Sequence, residues 1–377
     1  MDTNLFAPLD TQWFDSNPQL YLERPDFIHF QNVSGVDFSD LLGDETKTET
    51  AQEELVHKSL ILRLIQNQHF GWPFPFFTYT HDFEIFKDTL DTQVKKHDPE
   101  LDKIILSLPM CDSLRRRNEA LSHAIIPYTI HKLHRLRRAN SPNNGKVPLV
   151  VKNLGSGPGL DVINAAIHVN GNIGKVINYE TDGAAVDLGD AIVKYSEQNH
   201  LLKKDLVSYV KRSLAESTET SDLNIKIGVI CGMQDSFAQQ VLNLDFMQLR
   251  PNSALILSSS NKHMESTDPL ASFLIQHIGS RDKTGKLHPK KGWGLNYRTP
   301  ESLHALLSNV GFSEIEIYDD SSYVNQEWLP KDRLYGVDTI PSLAIGSKHS
   351  GMPLSLPPEE EMYKHGYNLI AIAWKKN

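Results

Sequence analysis

Val147–Ala166 reads VPLVVKNLGSGPGLDVINAA. An apolar run, Val147–Leu154, meets the turn Gly155–Gly159 and then a segment with helical spacing, which predicts a strand, a tight turn and a helix. In an open parallel sheet, ligands sit beyond the carboxyl ends of the strands, and the first strand-to-helix turn is a favoured place. Gly155, Gly157 and Gly159 let the backbone turn sharply and approach a ligand where a Cβ would collide. A phosphate-cradling loop would end in Lys and Ser or Thr, but Leu160 and Asp161 follow. A dinucleotide fingerprint would need glycine at position 160. The pattern left, G-x-G-x-G, suits an adenosyl amino acid better than a pyrophosphate. Asp161, an acid at the helix start, repels a pyrophosphate but not a sulfonium or an amine. A turn needed only for packing is the plainer alternative.

Outward from this stretch the texture differs on its two sides. Upstream, Asn140–Lys146 (NSPNNGK) is a turn-rich linker. Downstream, short apolar runs alternate with helical segments: KVINYE, a helix from Gly183, DLVSYVK, IKIGVICGM, a helix from Asp235, and SALILSSS. This alternation predicts a parallel sheet covered on both faces. TPESLHALLSNVGF, with Pro300 in its first turn and Gly311 closing it, predicts a helix before the strand SEIEIYDD. Tyr367–Lys376 is a last apolar strand. At the end of the second strand, Glu180, with Asp182 as the alternative, is placed to accept hydrogen bonds from two ribose hydroxyls.

From Val147 to its end the chain resembles the class I S-adenosylmethionine-dependent methyltransferases. VVKNLGSGPG is similar to their cofactor motif, INYETD to the ribose-binding strand, and IKIGVICGMQDSF to the fourth strand with its pocket-lining turn. LRPNSALILSS resembles the turn into the fifth strand, and YRTPESLHALLSNVGFSEIEIY the helix and strand that follow. The resemblance implies an α/β fold with a Rossmann-like, seven-stranded, mostly parallel sheet and helices on both faces, GYNLIAIAWKK being an antiparallel last strand. It implies S-adenosyl-L-methionine as cofactor, held by Asn153, Gly155, Ser156, Gly157, Pro158 and Gly159 at the turn, Glu180 or Asp182 at the ribose, and Cys231, Gly232 and Gln234 beside the methyl. Two departures stand out. Lys211, Arg212 and Ser213 occupy the end of the third strand, where an acid often meets the adenine amino group, and Asn252–Ser253 replace a common glycine pair.

Methyl transfer is an in-line displacement that rests on alignment in a dry pocket, and an acceptor carrying a proton needs a base. Gln234, Asp235 and His263 lie where such residues would be, Asp235 and His263 being the catalytic candidates. The plainer readings are a helix N-cap for Asp235 and an exposed loop position for His263.

Residues 1–146 predict a mainly helical extension, a candidate substrate lid, preceding the methyltransferase domain at 147–377. Its elements are a helix over Ala51–Gln68, an irregular aromatic stretch Phe70–Phe83 interrupted by prolines, helices in HDFEIFKDTLDTQVKK and LDKIILSL, and a long helix Ser113–Ala139 that Pro127 should kink or divide. Trp72 and Tyr79 are candidate substrate liners, with extension packing the alternative. The long helix carries Arg115, Arg116, Arg117, Lys132, Arg135, Arg137 and Arg138 against Glu119. It reads as a solvated face, as the source of an arginine for a carboxylate, or as a track for RNA phosphates. No aromatic-basic interleaving supports the last.

The 47 acidic and 38 basic residues give a formal charge of -9, which disfavours a chain that coats itself in nucleic acid or anionic membrane. Cys111 and Cys231 match no metal-ligand spacing and predict neither a disulfide framework nor a metal site. MDTNLFAPLDTQWFD lacks a basic flank with an apolar core, and no stretch is long enough to span a bilayer, so the expectation is a cytoplasmic enzyme. A small organic acceptor methylated on O or N fits this reading. An RNA or protein acceptor, a non-catalytic binding subunit and, more remotely, an NAD-dependent oxidoreductase are the alternatives.

Overall fold

The computed structural model describes residues 22–42, 44–68, 71–80, 97–139, 148–169, 171–213, 216–217, 219–262, 264, 268–278, 280–281, 287–288, 295–320 and 367–376. His263, the segments 81–96 and 140–146, and Phe70 lie outside them. The chain forms two compact units, one comprising 1–115, 263–295 and 346–354, the other 116–262, 296–345 and 355–377. Their division at Arg116 falls earlier than the turn-rich segment Asn140–Lys146.

The described residues of the first unit are mostly helical, with one short antiparallel strand pair, Ser280–Arg281 with Leu287–His288. Phe27, Phe30, Phe38 and Phe273 are fully buried. The Phe27–Phe38 and Phe27–Phe273 rings meet edge to face at centroid distances of 5.6 and 5.5 Å, each such pair worth about 1 kcal/mol beyond its area. The expected helix Ala51–Gln68 is two helices, Glu45–Lys58 and Leu60–Gln68. Ser59 breaks it: its backbone is extended, its hydroxyl accepts from Leu62 N–H at 3.0 Å, and it donates to the buried Asp102 carboxylate at 2.5 Å. The proline-rich aromatic stretch, expected to be irregular, holds the helix Pro73–Thr80. Both prolines fall in its first turn, where no intrahelical N–H is lost. Phe74, Phe76 and Phe77 are buried, whereas Trp72 and Tyr79 are half-buried. Asp268 accepts from Met110 N–H at 2.9 Å and Ala271 N–H at 3.1 Å, and burial pushes its carboxyl up to about 6.

The second unit holds a seven-stranded sheet. Its strands are β1 (Leu149–Leu154), β2 (Ile173–Glu180), β3 (Val207–Lys211), β4 (Ser221–Lys226), β5 (Leu249–Ser260), β6 (Glu314–Asp319) and β7 (Asn368–Lys375). They lie in the order β3-β2-β1-β4-β5-β7-β6. β1 to β5 pair in parallel, and β7 runs antiparallel to both its neighbours. Side chains alternate between the faces. Leu255, Leu257, Ala371 and Ala373 pack on one face with Leu242 of helix Asp235–Gln248 and Leu303 and Leu307 of helix Pro300–Val310. Trp374 points to the other, where Lys132 of helix Ile126–Ala139 lies 4.1 Å over its ring. The fold is thus Rossmann-like α/β with helices on both faces.

Pro127 does divide its helix. Leu121–Ile125 forms a π-turn in which Ile126 N–H reaches the Leu121 carbonyl, just before Pro127, whose ring cannot sit against the carbonyl one ordinary turn back. The fourth strand differs from expectation. The apolar run Ile225–Met233 supplies only its last two residues and a 3₁₀ turn Ile230–Gly232, and the strand proper begins in the polar SDLN. All six β4 residues are buried. Asp222 accepts from Val150 N–H at 2.8 Å, from Arg250 at 3.0 Å and from Arg137, while Asn224 donates to Asp245 at 3.1 Å. Polar residues can fill a buried strand when each finds a partner.

Candidate functional site

The strand order reverses between β1 and β4, since the chain steps from β1 outward to β2 and β3 and then returns to the opposite side of β1. Ligands of such sheets bind at the carboxyl ends of the strands at this reversal. The turns after β1 and β4 both open there.

The first turn is built by backbone. Gly155 and Ser156 donate N–H bonds to the Tyr179 carbonyl at 2.9 and 3.2 Å, and Gly159 N–H closes a turn on the Ser156 carbonyl at 2.9 Å. Gly155, Gly157 and Gly159 have φ of 73°, 52° and 69°. Space adds a second reason at two of them: a Cβ would lie 2.8 Å from Val229 Cγ2 at Gly155 and 2.9 Å from Tyr209 Oη at Gly159. Helix Leu160–His168 starts directly afterwards, presenting its first N–H groups on the same side. Beneath the turn, buried Asn153 donates to Asn178 Oδ1 at 3.0 Å. Pro158 accepts from the Tyr209 hydroxyl at 2.5 Å. Ser156 turns its hydroxyl onto the Gly157 carbonyl at 2.9 Å.

Glu180 ends β2 at the rim of this turn. Its Oε2 accepts from Gly157 N–H at 2.8 Å, and its Oε1 from Thr181 N–H at 2.7 Å and Asp182 N–H at 3.0 Å. The Thr181 hydroxyl also donates to Oε1 at 3.3 Å, so the acceptor capacity that remains is on Oε2, which has a single donor. Asp182 caps helix Gly183–Gln198 through Ala184 N–H at 2.9 Å. Of the two acids, Glu180 is the one tied to the glycine turn. No acid stands at the end of β3: Lys211 directs its ammonium toward Gly183, 2.7 Å from where a Cβ would be.

Charge in the site is mixed. Desolvation raises the Asp161 carboxyl, and Arg117 opposes that shift. Desolvation likewise raises the half-buried Cys231 thiol, with Arg117 and Arg298 opposing. Arg117, itself buried, donates to Asn368 Oδ1 at 2.9 Å at the start of β7. One guanidinium therefore acts on residues of both turns.

The second turn, Ile230–Asp235, hangs on a residue the sequence reading did not single out. Arg298 is 2% exposed. Its Nε donates to Asp235 Oδ1 at 2.9 Å, Nη1 to the Ile230 carbonyl at 2.9 Å and Ser259 Oγ at 3.1 Å, and Nη2 to the Met233 carbonyl at 2.7 Å. Asn296 adds bonds to the carbonyls of Cys231 and Met233. Gly232 lies in the 3₁₀ turn, Gln234 precedes the helix as its N-cap residue, and Asp235 opens it, engaged by Arg298. The signal for Arg298 was its place in YRTPE, just before a well-marked helix, but nothing local distinguishes it from a surface arginine.

The basic helix is largely spent on structure. Arg115 donates to the Leu106 carbonyl at 3.0 Å, Arg116 pairs with buried Asp320 at 2.9 Å, Lys132 with Glu314 and Glu316 at 3.1 Å, and Arg137 with Asp222. Arg135 and Arg138 are exposed. Among the described residues no group of three or more His, Cys, Asp or Glu could hold a metal ion, and no helix is long and apolar enough to cross a membrane.

No protein-family model matches the chain, and no curated protein does. Solved structures do match. A possible exported protein from Bordetella parapertussis is 13% identical, with 95% of this chain and 99% of that one covered at a TM-score of 0.54, a likeness of fold. Magnesium protoporphyrin IX methyltransferase from Synechocystis PCC 6803, with bound S-adenosylmethionine, is 12% identical over 71% of this chain and 84% of that one at 0.38. Human N-acetylserotonin methyltransferase, also with S-adenosylmethionine, is 13% identical over 90% and 70% at 0.38.

Proposed function

We propose that this chain is an S-adenosylmethionine-dependent methyltransferase that acts on an O or N atom of a small organic molecule. The observation that carries the reading is Glu180, held by Gly157 N–H at 2.8 Å so that an acid sits on the rim of a three-glycine turn at the sheet's reversal point. The donor set fits the cofactor. Glu180 and Asp161 disfavour a polyphosphate and tolerate a cationic sulfonium and amine.

When bound, the cofactor supplies an electrophilic methyl on sulfur. In this reading Gly155–Gly159 and the first N–H groups of helix Leu160–His168 face its amino-acid end, and Glu180 accepts from the ribose hydroxyls. Cys231, Gly232 and Gln234 border the reacting centre, and their turn is kept rigid by Arg298. Because Asp235 is engaged by Arg298, we assign it to holding the turn rather than to proton removal. The chain's main contribution is then alignment of acceptor and methyl.

Two features favour other readings. Lys211, where an acid is common, favours a binding subunit without catalysis. Exposed Arg135 and Arg138 are what remains for an RNA acceptor, a smaller set than the helix displays in sequence. Calorimetric titration with S-adenosylmethionine, S-adenosylhomocysteine and, as control, NAD tests the proposal. The expected result is micromolar binding of both adenosyl ligands, no binding of NAD, and loss of binding in Gly157→Val, whose φ of 52° a β-branched residue resists. Absence of adenosyl binding by the unaltered protein overturns it.

A further inference from the structure

Gly189 stands in the interior of helix Gly183–Gln198, where glycine costs about 1 kcal/mol relative to alanine. The space around it explains its presence. A Cβ there would lie 2.3 Å from both Cζ and Oη of Tyr209, on β3. The missing side chain lets the helix close down on β3 with the phenol ring held between them. The ring's far end passes under the glycine turn, where a Cβ on Gly159 would come within 2.9 Å of Oη. The hydroxyl donates to the Pro158 carbonyl at 2.5 Å. Burial disfavours the phenolate, so the group stays a donor.

The consequence concerns one peptide plane. The Pro158–Gly159 peptide adjoins a glycine at φ 69°, a residue that accepts conformations on both sides of the Ramachandran map, so the plane is held by its two hydrogen bonds, Gly159 N–H on the Ser156 carbonyl and the Tyr209 hydroxyl on the Pro158 carbonyl, rather than by its dihedrals. Flipped, it would turn a carbonyl oxygen toward the side where helix Leu160–His168 presents its first N–H groups, and that oxygen would repel a bound carboxylate. We propose that Tyr209 is a positioning residue that locks the Pro158 carbonyl inward and so presets the glycine turn for its anionic ligand group, with Gly189 as the recess that admits the ring. This rests on the adenosyl-ligand reading above.

Tyr209→Phe keeps the ring in its recess and deletes only the hydroxyl. The expected result is about tenfold weaker S-adenosylhomocysteine binding by calorimetry, the scale of one well-formed hydrogen bond, with a thermal midpoint within about 2 °C of the parent. Faster amide exchange at Gly159 should accompany it, because that amide belongs to the released plane. Gly189→Ala keeps the hydroxyl and pushes the ring, so it should weaken binding in the same direction. If the parent binds and Tyr209→Phe binds equally well with unchanged exchange, the inference is overturned while the cofactor reading stands. If the parent binds no adenosyl ligand, the reading fails and the inference falls with it.

Discussion

The turn after β1 and the turn after β4 face the same crevice but are held in opposite ways. The first is closed mainly by main chain, through N–H bonds to the carbonyls of Tyr179 and Ser156, with the Glu180 carboxylate and the Tyr209 hydroxyl adding one bond each. The second is held mainly by a guanidinium located 63 to 68 residues downstream, at Arg298, with Asn296 beside it. Geometry enforced by backbone leaves a local mark, because positive φ and close approach demand glycine. Geometry enforced by a distant side chain leaves none. The contrast predicts different main weak points: the fold of the first turn fails most through an added side chain, that of the second through a removed one.

The largest effect should come from Arg298→Ala. It leaves the buried Ser259 Oγ, the Ile230 and Met233 carbonyls and the more exposed Asp235 without their shared donor, at a cost of about 3 kcal/mol in urea unfolding. Arg298→Lys should recover little of this, since a single ammonium cannot fork to several acceptors spread around a planar group. A loss below about 1 kcal/mol for Arg298→Ala would mean that the second turn carries its own geometry, and the contrast would collapse.

The same distinction decides what could be read from sequence. The glycine turn, the apolar runs of β1, β2, β5 and β7, and the helix opened by Pro300 and closed by Gly311 were legible because each carries its signal within a few residues. The start of β4 was not. Ser221, Asp222 and Asn224 look like loop, and only their long-range partners Arg137, Arg250 and Asp245 make burial tolerable. The break at Ser59 was hidden for the same reason, since it depends on Asp102 more than forty residues away. The helix through Pro73 and Pro75 was hidden differently: proline reads as a breaker unless the helix start is known. At the site, Glu180 was legible from its place after an apolar strand. The engagement of Asp235 was not, because its partner lies on the far side of β5 in sequence.

Asp235→Asn sharpens the contrast at smaller scale. Asparagine keeps an acceptor for Arg298 and removes the charge, and the Asp235 side chain is 61% exposed, so a stability change below about 1 kcal/mol is expected. The assignment to the turn also predicts that S-adenosylhomocysteine affinity changes by less than about threefold, the exposed pair being weak. Once an acceptor is in hand, turnover gives the harder test. A fall of about a hundredfold, with binding and stability intact, would return Asp235 to the role of base.

The smallest effect should separate the two turns by pH. His123, on the π-turn, and His168, the last residue of the helix that follows the glycine turn, meet at 3.1 Å between Nδ1 and Nε2 with edge-to-face rings. That hydrogen bond needs at least one neutral ring. Burial lowers both pKa values, and His168 lowers that of His123 further. The folded chain therefore binds fewer protons than the unfolded one as pH falls through the ordinary histidine range near 6.5, so stability present above that range is lost below it. Partial exposure and the favourable end of the helix dipole at His168 reduce the loss to about 0.5 kcal/mol. Asp268, raised to about 6, contributes with the opposite sign in the neighbouring window, favouring the folded state as pH falls. The difference between the parent and His123→Gln isolates the histidine pair from it. Amide exchange, corrected for intrinsic rates, should show helix Leu160–His168 losing protection between pH 7 and pH 5.5 in the parent and not in the variant. The turn Ile230–Asp235, pinned by Arg298, should be indifferent in both. Equal loss at the two turns would mean that they soften as one body, and the division between main-chain and side-chain control would not extend to their dynamics.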